Sequence, residues 1–152
     1  MLEVGKKAPA FKLPAADGST KSLKDYKGQK LLIWFFPKAN TPGCTAEGCN
    51  LRDNYDALSK ANVEVLGVSA DTPKKQSNFV SKYDFPFPML CDESTDMIQK
   101  YGAWGLKKFM GKEYDGIHRI SYLIDEDGKV EHVWGKVKTK THGDDVVAYL
   151  NS

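Results

Sequence analysis

The sequence lacks the features that usually identify membrane, secreted or nucleic-acid-binding proteins. Its 22 basic residues nearly cancel its 20 acidic ones, and a net charge of +2 gives no electrostatic reason to expect binding to nucleic acid or an anionic membrane. No apolar run approaches the ~20 residues that cross a bilayer. The first residues, MLEVGKKAPAFKLP, contain no apolar segment of a secretory signal. We therefore expect a cytoplasmic protein with no membrane or nucleic-acid partner.

Cysteine is scarce, since the chain has only Cys44, Cys49 and Cys91, and no two of them form a Cys-x-x-Cys motif. In a reducing compartment, an odd number of cysteines indicates thiols or transient disulfides rather than structural disulfides. The histidines do not form the paired spacings with cysteine that are typical of zinc sites. These are His118, His132 and His142. The sequence therefore predicts no metal site.

Linkers and repeats are also lacking, so we expect one domain over residues 1–152. Residues 31–36 form an unbroken apolar run, typical of a strand buried on both faces. A second such run covers residues 63–70. Helical spacing or helix-start signals cover residues 44–60, 73–82, 94–101 and 143–150. Residues 118–135 alternate around an acidic Asp127-Gly128 turn and predict a hairpin.

The order of these elements predicts an α/β fold. A small β-hairpin near the N-terminus precedes a strand–helix–strand–helix pattern, and then two hairpin strands and a last helix follow. This order implies a mixed central β-sheet with helices on both faces. It is the layout of a thioredoxin-like fold.

The chain changes direction sharply after the first apolar run. Pro37 has no N–H for a strand ladder and ends the strand. Pro42-Gly43 predicts a helix that starts at or just before Cys44. In the first turn of a helix, unpaired backbone N–H groups and the helix dipole favour thiolate over thiol, the reactive form. Cys44 is therefore a candidate nucleophile, although an inert cysteine packed in the core is the alternative.

Cys49 lies five residues after Cys44 in the same predicted helix. On an intact helix this spacing separates the two Cα atoms by about 8 to 9 Å, beyond the ~7 Å limit for a disulfide. A Cys44–Cys49 disulfide therefore requires the helix to unwind. Gly48 is a weak helix former and lowers the cost of unwinding by about 1 kcal/mol relative to alanine.

The stretch FFPKANTPGCTAEGCNLRDNY resembles the peroxiredoxin active-site pattern Pro-x-x-x-Thr-x-x-Cys. The form most like it is that of the bacterioferritin comigratory protein, or peroxiredoxin Q, subfamily. The resemblance extends over essentially the whole chain and includes VGKKAPAFKLPAADG, VEVLGVSADTP and the segment WGLKKFMGKEYDGIHRISYLIDEDGKVEHVW. Many members have Asp at the position of Ala39, which does not contact peroxide, so we expect little effect on the chemistry.

The resemblance implies a role for each matching residue. Cys44 corresponds to the peroxidatic cysteine and Cys49 to the resolving cysteine. Thr41 corresponds to the threonine that orients the peroxide, and Pro37 to the proline that shields the thiolate. Arg119, in HRISYLID, corresponds to the distant arginine that stabilises the thiolate. Glu47 occupies the position that steadies this arginine.

The resemblance also implies a reaction sequence. Cys44 attacks a hydroperoxide and becomes a sulfenic acid. The helix unwinds, Cys49 forms an intramolecular disulfide with Cys44, and thioredoxin or a similar dithiol reduces it. No cofactor is expected, and a monomer or weak dimer is expected. Cys91 follows an apolar segment and is predicted to be buried, with an alternative role as resolving thiol.

Two other classes of function remain open from the sequence. The chain could be a general disulfide oxidoreductase, although the lack of Cys-x-x-Cys argues against it. It could also be a redox-sensing or chaperone-like binding protein on a peroxidase scaffold. The intact set of Pro37, Thr41, Cys44 and Arg119 argues against that alternative.

Overall fold

A central sheet of five strands positions the candidate site in the structure, a computed structural model that describes residues 1–152. The strands are β1 (Lys12–Pro14), β2 (Thr20–Ser22), β3 (Lys30–Phe35), β4 (Val63–Ser69), β5 (Met89–Cys91), β6 (Trp104–Phe109), β7 (Lys112–Ile117), β8 (Ile120–Ile124) and β9 (Val130–Trp134). The helices are α1 (Pro42–Asp53), α2 (Tyr55–Lys60), α3 (Pro73–Tyr83), α4 (Asp96–Lys100) and α5 (His142–Leu150), with a 3₁₀ turn at Leu23–Tyr26.

The central sheet is mixed, with strand order β5-β4-β3-β8-β9. Strands β3, β4 and β5 are parallel, whereas β8 runs antiparallel to β3 and β9 antiparallel to β8. Two separate hairpins, β1–β2 and β6–β7, complete the strands. None of the helices combines the length and apolar character needed to span a membrane.

Side chains of β3 are buried on both faces of the sheet, which explains its unbroken apolar sequence. Leu31, Ile33 and Phe35 pack with α4 and with residues near the N-terminus. The residues between them pack with α1, α2, α3 and α5. The α/β thioredoxin-like fold with helices on both faces, and the N-terminal hairpin, are therefore confirmed. Most predicted elements begin and end within about two residues of the observed ones.

The prediction of a single helix over residues 44–60 is wrong in one respect, because this segment forms two helices that are separated at Asn54. The side-chain amide of Asn54 donates to the carbonyl of Asn50 at 2.9 Å and to Asp144 Oδ1 at 2.9 Å. Asparagine side chains compete with the helix ladder in this way. The apolar spacing continues across the break, and for this reason it did not reveal the division.

The β6–β7 hairpin is the main element that the sequence pattern did not predict. Its two-residue turn, Met110-Gly111, has positive φ at both positions, 51° and 78°. Such turns normally carry Asn-Gly or Asp-Gly, so methionine gives no turn signal. The two strands also lack a regular alternation of buried apolar and exposed polar side chains, since Leu106, Phe109 and Tyr114 are all exposed.

Helices α1 and α5 approach each other closely on the face of the sheet that carries the site. A Cβ on Gly143 would lie 2.5 Å from the carbonyl oxygen of Asn50, so only glycine fits. The Asn50 side chain accepts from the backbone N–H of Asp144 at 3.0 Å and donates to its carboxylate at 3.3 Å. These contacts fix the C-terminal half of α1 to the start of α5.

Gly48→Ala should destabilise the protein although alanine is the better helix former. A Cβ at position 48 would lie 2.6 Å from Phe85 Cζ and 3.1 Å from Trp34 Cη2. We expect overpacking to cost about 1 to 3 kcal/mol, more than the ~1 kcal/mol gained in helix propensity. Denaturant unfolding measures the difference, with Ala57→Gly at an exposed position of α2 as a control for helix propensity alone. An unfolding free energy above that of wild type would contradict this packing argument.

Candidate functional site

Cys44 lies in the first turn of α1, where the sequence predicts it. Thr41 is the N-cap residue with extended backbone (φ −88°, ψ 155°), and Pro42 is the first helical residue. The Thr45 N–H bonds to the carbonyl of Thr41 at 2.9 Å, whereas the N–H groups of Gly43 and Cys44 bond to no other group of the chain. Two free backbone donors therefore lie at the start of the helix, next to the thiol.

The loop before α1 is held by a carboxylate from the end of β4. The Ala39 N–H donates to Asp71 Oδ2 at 2.8 Å, and Ser69 Oγ donates to the same oxygen at 2.7 Å. Asn40 adopts φ 63°, a left-handed conformation that asparagine tolerates better than most residues. The Thr41 hydroxyl donates to the carbonyl of Lys38 at 2.7 Å. Asp71 thus fixes the turn that carries the threonine.

Arg119 is brought to the thiol from the start of β8, far away in sequence. Its Nη1 and Nη2 atoms each lie 3.5 Å from Cys44 Sγ. Nη1 also donates to Glu47 Oε1 at 2.7 Å. A Cβ on Gly43 would lie 3.1 Å from Nη2, so glycine leaves room for the guanidinium. Pro37 is partly buried and follows β3 in the loop that leads to Thr41.

Cys44 is fully buried, as an inert core cysteine would be. Its surroundings differ from those of such a cysteine, because two guanidinium donors face the sulfur. A buried thiolate next to an arginine is stabilised by a strong, poorly screened interaction. The Arg119 side chain keeps 22% of its surface exposed, which leaves an edge of the site open to solvent.

Glu47 lies one turn after Cys44 and is fully buried. Its Oε1 atom pairs with Arg119, but its Oε2 atom has no hydrogen-bond partner. His142 Nε2 lies 3.9 Å from Oε2. His142 Nε2 also lies 2.8 Å from Ser121 Oγ, while its Nδ1 atom has no partner. Glu47 therefore joins the thiol site to a second buried cluster, Glu47–His142–Ser121.

Burial shifts the pKa values of this cluster in opposite directions. Burial raises the pKa of Glu47 to about 7, and the nearby Arg119 guanidinium opposes this shift. Burial lowers the pKa of His142 to about 4, while Asp145 acts in the opposite direction. His142 is therefore neutral at physiological pH, and Glu47 titrates close to neutrality.

The other two cysteines do not contact Cys44 through any bond, and all three thiols are free. Cys49 is half-buried on α1, which is continuous from Pro42 to Asp53, so helical geometry separates its Cα from that of Cys44 by about 8 to 9 Å. Cys91 is buried on β5, and burial raises the pKa of its thiol to about 11. Cys49 is thus the more available second thiol.

Four residues next to the site were not identified from the sequence as site residues: Asp71, Lys107, Ser121 and His142. Lys107 Nζ donates to the Ile117 carbonyl at 2.9 Å, just before Arg119, and burial lowers the pKa of Lys107. No group of three or more His, Cys, Asp or Glu side chains is arranged to hold a metal ion.

Comparison with known proteins gives a consistent result. Residues 4–133 match the model of the AhpC/TSA family. The chain is 52% identical to peroxiredoxin Bcp of Escherichia coli over 149 residues, which covers 98% of this chain and 96% of that protein. It is 40% identical to peroxiredoxin Bcp of Bacillus subtilis over 141 residues, which covers 93% and 90% of the two chains.

Solved structures show the same similarity. The bacterioferritin comigratory protein of Xanthomonas campestris, whose structures concern its alkyl peroxide reduction activity, superposes with a TM-score of 0.90. It shares 33% sequence identity, and the match covers 98% of both chains.

The Glu47–His142 pair should make opposite contributions to the pH dependence of stability. Because the folded-state pKa of Glu47 is about 7 rather than 4.5, Glu47 binds a proton on folding between these values. Its contribution to stability therefore falls as pH rises through this window. Because the folded-state pKa of His142 is about 4 rather than 6.5, His142 loses a proton on folding. Its contribution falls as pH decreases, so the two slopes largely cancel in wild type.

Single substitutions should expose each slope in denaturant unfolding at several pH values. In Glu47→Gln, the unfolding free energy should fall, relative to wild type, on acidification from about pH 7 to 4.5. In His142→Gln it should rise, relative to wild type, on acidification from about pH 6.5 to 4. Each slope is at most ~1.4 kcal/mol per pH unit. The double variant should again parallel wild type, and parallel curves for all four proteins would contradict the prediction.

Proposed function

We propose that Cys44 is the peroxide-reducing nucleophile of this chain, which belongs to the AhpC/TSA family and is a peroxiredoxin, a thiol-dependent peroxidase. The observation that carries the proposal is the guanidinium of Arg119, with two nitrogens 3.5 Å from Cys44 Sγ. A permanent cation with several donors can stabilise the thiolate and also polarise a peroxide oxygen. The free N–H groups of Gly43 and Cys44 add fixed donors at the same point.

Thr41 is suited to orient the peroxide. Its hydroxyl hydrogen is already donated to the Lys38 carbonyl, so the lone pairs of its oxygen are available to accept a hydrogen bond from the hydroperoxide O–H. Arg119 would hold the other peroxide oxygen as a donor. One acceptor and one donor on either side of the thiol place the O–O bond in line with the sulfur. Pro37 would shield this arrangement from water.

The first step is a two-electron transfer from sulfur to oxygen. The Cys44 thiolate attacks the terminal oxygen of ROOH, an S–O bond forms and the O–O bond breaks. Cys44 becomes a sulfenic acid, and the alkoxide or hydroxide leaves and takes up a proton to give alcohol or water. Arg119 and the free backbone N–H groups would stabilise the negative charge as it passes from sulfur to the leaving oxygen.

We propose Cys49 as the resolving thiol. Its sulfur attacks the Cys44 sulfenic acid, the S–O bond breaks, and a disulfide and water form. Because α1 is continuous, the first two turns must unwind before the sulfurs meet. Cys91 is the weaker candidate, since burial raises its pKa to about 11 and keeps it protonated.

Reduction of the disulfide, the last step of the cycle, requires a dithiol reductant. We propose a thioredoxin-type protein for this role. Exchange through a mixed disulfide would return both cysteines to thiols and oxidise the reductant. Both hydrogen peroxide and organic hydroperoxides are proposed substrates. The second class is supported by the alkyl peroxide reduction activity of the Xanthomonas campestris relative.

Cys44→Ser should abolish peroxide consumption in the presence of thioredoxin, thioredoxin reductase and NADPH. A serine hydroxyl is not ionised at neutral pH and cannot replace the thiolate. Arg119→Gln should lower kcat/KM for peroxide by about 10² to 10³, the range seen when a charge-stabilising donor is lost. The matched control is Cys91→Ala, which removes a buried thiol and should keep activity. Wild-type turnover in Cys44→Ser would overturn the proposal.

A disulfide map tests the resolving residue independently. After one equivalent of peroxide, mass spectrometry of the alkylated protein should show a Cys44–Cys49 bond. Cys49→Ser should stop at a Cys44 sulfenic acid that reacts with dimedone, and thioredoxin should recycle it poorly. A Cys44–Cys91 bond in the wild-type protein would contradict the assignment of Cys49.

A further inference from the structure

The carboxylate of Glu47 faces two different neighbours through its two oxygens. Oε1 accepts from Arg119 at 2.7 Å. Oε2 has no hydrogen-bond partner and lies 3.9 Å from His142 Nε2. A carboxylate oxygen buried without a donor is costly, and a polar group close to it therefore influences its orientation. In this site that group is the imidazole of His142, which the peroxidase chemistry does not otherwise use.

Three elements bring the cluster Glu47–His142–Ser121 together. Ser121 lies two residues after Arg119, and because side chains alternate along an extended chain, both face α1. His142 is the first residue of α5 and is fully buried, with the Trp134 ring against its edge at 5.7 Å between centroids. The imidazole is therefore fixed between β8 and α1.

We propose that His142 and Ser121 are positioning residues of the peroxidase site, which hold the Glu47 carboxylate where it fixes Arg119 over Cys44. This inference rests on the proposed function, in which Arg119 stabilises the thiolate. Neither residue touches the sulfur. Both act through Glu47.

The hydrogen-bond pattern determines where the imidazole proton belongs. Nδ1 has no partner, and Nε2 has Ser121 Oγ at 2.8 Å and Glu47 Oε2 at 3.9 Å. A buried N–H without an acceptor is less tolerable than an unused lone pair, so the proton belongs on Nε2. From there it donates to Ser121 Oγ, and the same nitrogen lies 3.9 Å from Glu47 Oε2.

A neutral imidazole suits this role better than a charged one. Burial lowers the pKa of His142 to about 4, so at neutral pH it provides a donor without a positive charge. A protonated His142 would compete with Arg119 for the carboxylate. It would therefore draw Glu47 away from the guanidinium and leave Arg119 less fixed.

Other charged groups around the cluster also affect its pH dependence. Arg119 interacts with Glu47, and Lys107 on β6 interacts electrostatically with Arg119 and Cys44. Asp145, on α5, interacts with His142. Because these groups are unchanged in variants of His142, the difference between two pH profiles reports the effect of the imidazole on the site.

The test compares His142→Leu, His142→Gln and His132→Leu. Leucine removes both ring nitrogens, whereas the glutamine amide restores a donor near the position of Nε2. His132 is the matched control, because it stacks on Tyr149 at 4.4 Å between centroids and makes no hydrogen bond to Glu47. For each protein, kcat/KM for peroxide is measured across about pH 5.5 to 8.5, where the acidic limb reports the ionisation of essential groups.

We expect His142→Leu to lower kcat/KM about tenfold, equivalent to ~1.4 kcal/mol of transition-state stabilisation. Its acidic limb should move to higher pH, because an apolar side chain in place of the imidazole makes the surroundings of Glu47 less polar and favours its neutral form. His142→Gln should stay within about threefold of wild type with the original limb. His132→Leu should match wild type. A folded His142→Leu with the wild-type rate and limb would overturn the inference, as would a glutamine variant as impaired as the leucine variant.

Ser121→Ala keeps the test decisive if His142→Leu fails to fold, as judged by circular dichroism and melting temperature. It should lower kcat/KM in the same direction by about threefold, and an unchanged rate and limb would count against the inference. Arg119→Gln in the same assay distinguishes failure of the proposed function from failure of this inference. If it is fully active, the proposed function fails; if it is impaired while the His142 and Ser121 variants are not, only this inference fails.

Discussion

The interaction between the guanidinium of Arg119 and the buried sulfur of Cys44 is the one on which the rest of the site depends. A buried thiolate needs a nearby cation, because burial otherwise favours the neutral thiol. The helix that carries Cys44 provides only partial charges at its N-terminus. The full charge comes from the start of β8, next to β3 in the sheet. The pairing of β3 with β8 therefore determines whether Arg119 reaches the sulfur.

Helix α1 has two opposing tasks in the proposed mechanism. When folded, it directs free N–H groups at Cys44; when unwound, it lets Cys49 reach that residue. The contacts with α5 divide the helix between these tasks. The side-chain amide of Asn50 binds Asp144 through both its nitrogen and its oxygen, and Gly143 lies against the Asn50 backbone carbonyl. Unwinding that stops before Asn50 keeps these contacts and frees only the part that must move.

Local signals in the sequence predict the nucleophile, but not the residues that surround it. The two prolines and the glycine before Cys44 are enough to predict a strand end, a helix start and an activated thiol. Arg119 lies 75 residues away from Cys44, and only the resemblance to peroxiredoxins connects it with the site. No local pattern distinguishes a strand arginine over a thiol from one on the surface.

His142 and Ser121 were missed for a related reason. Their roles depend on how α5 lies against α1, which neither periodicity nor spacing encodes. The same limit applies to the break at Asn54, where a bond to Asp144 on another helix contributes to the end of α1. The β6–β7 hairpin was missed for a different reason. Its Met110-Gly111 turn does not have the sequence of a standard hairpin turn, and its exposed apolar side chains do not give the pattern of a half-buried strand.

In the proposed mechanism, the position of Glu47 between Cys44 and Cys49 connects activation of the thiol with formation of the disulfide. The segment that must unwind for a Cys44–Cys49 disulfide includes Glu47, so its bond to Arg119 breaks as the helix opens. While the thiolate is present, sulfur and carboxylate share one guanidinium. After oxidation the sulfur is neutral, and Glu47 is the remaining anionic partner of Arg119. Burial of this carboxylate is unfavourable, as its raised pKa shows. Its release into water therefore offsets part of the cost of unwinding, and its return upon reduction restores Arg119 over the thiol.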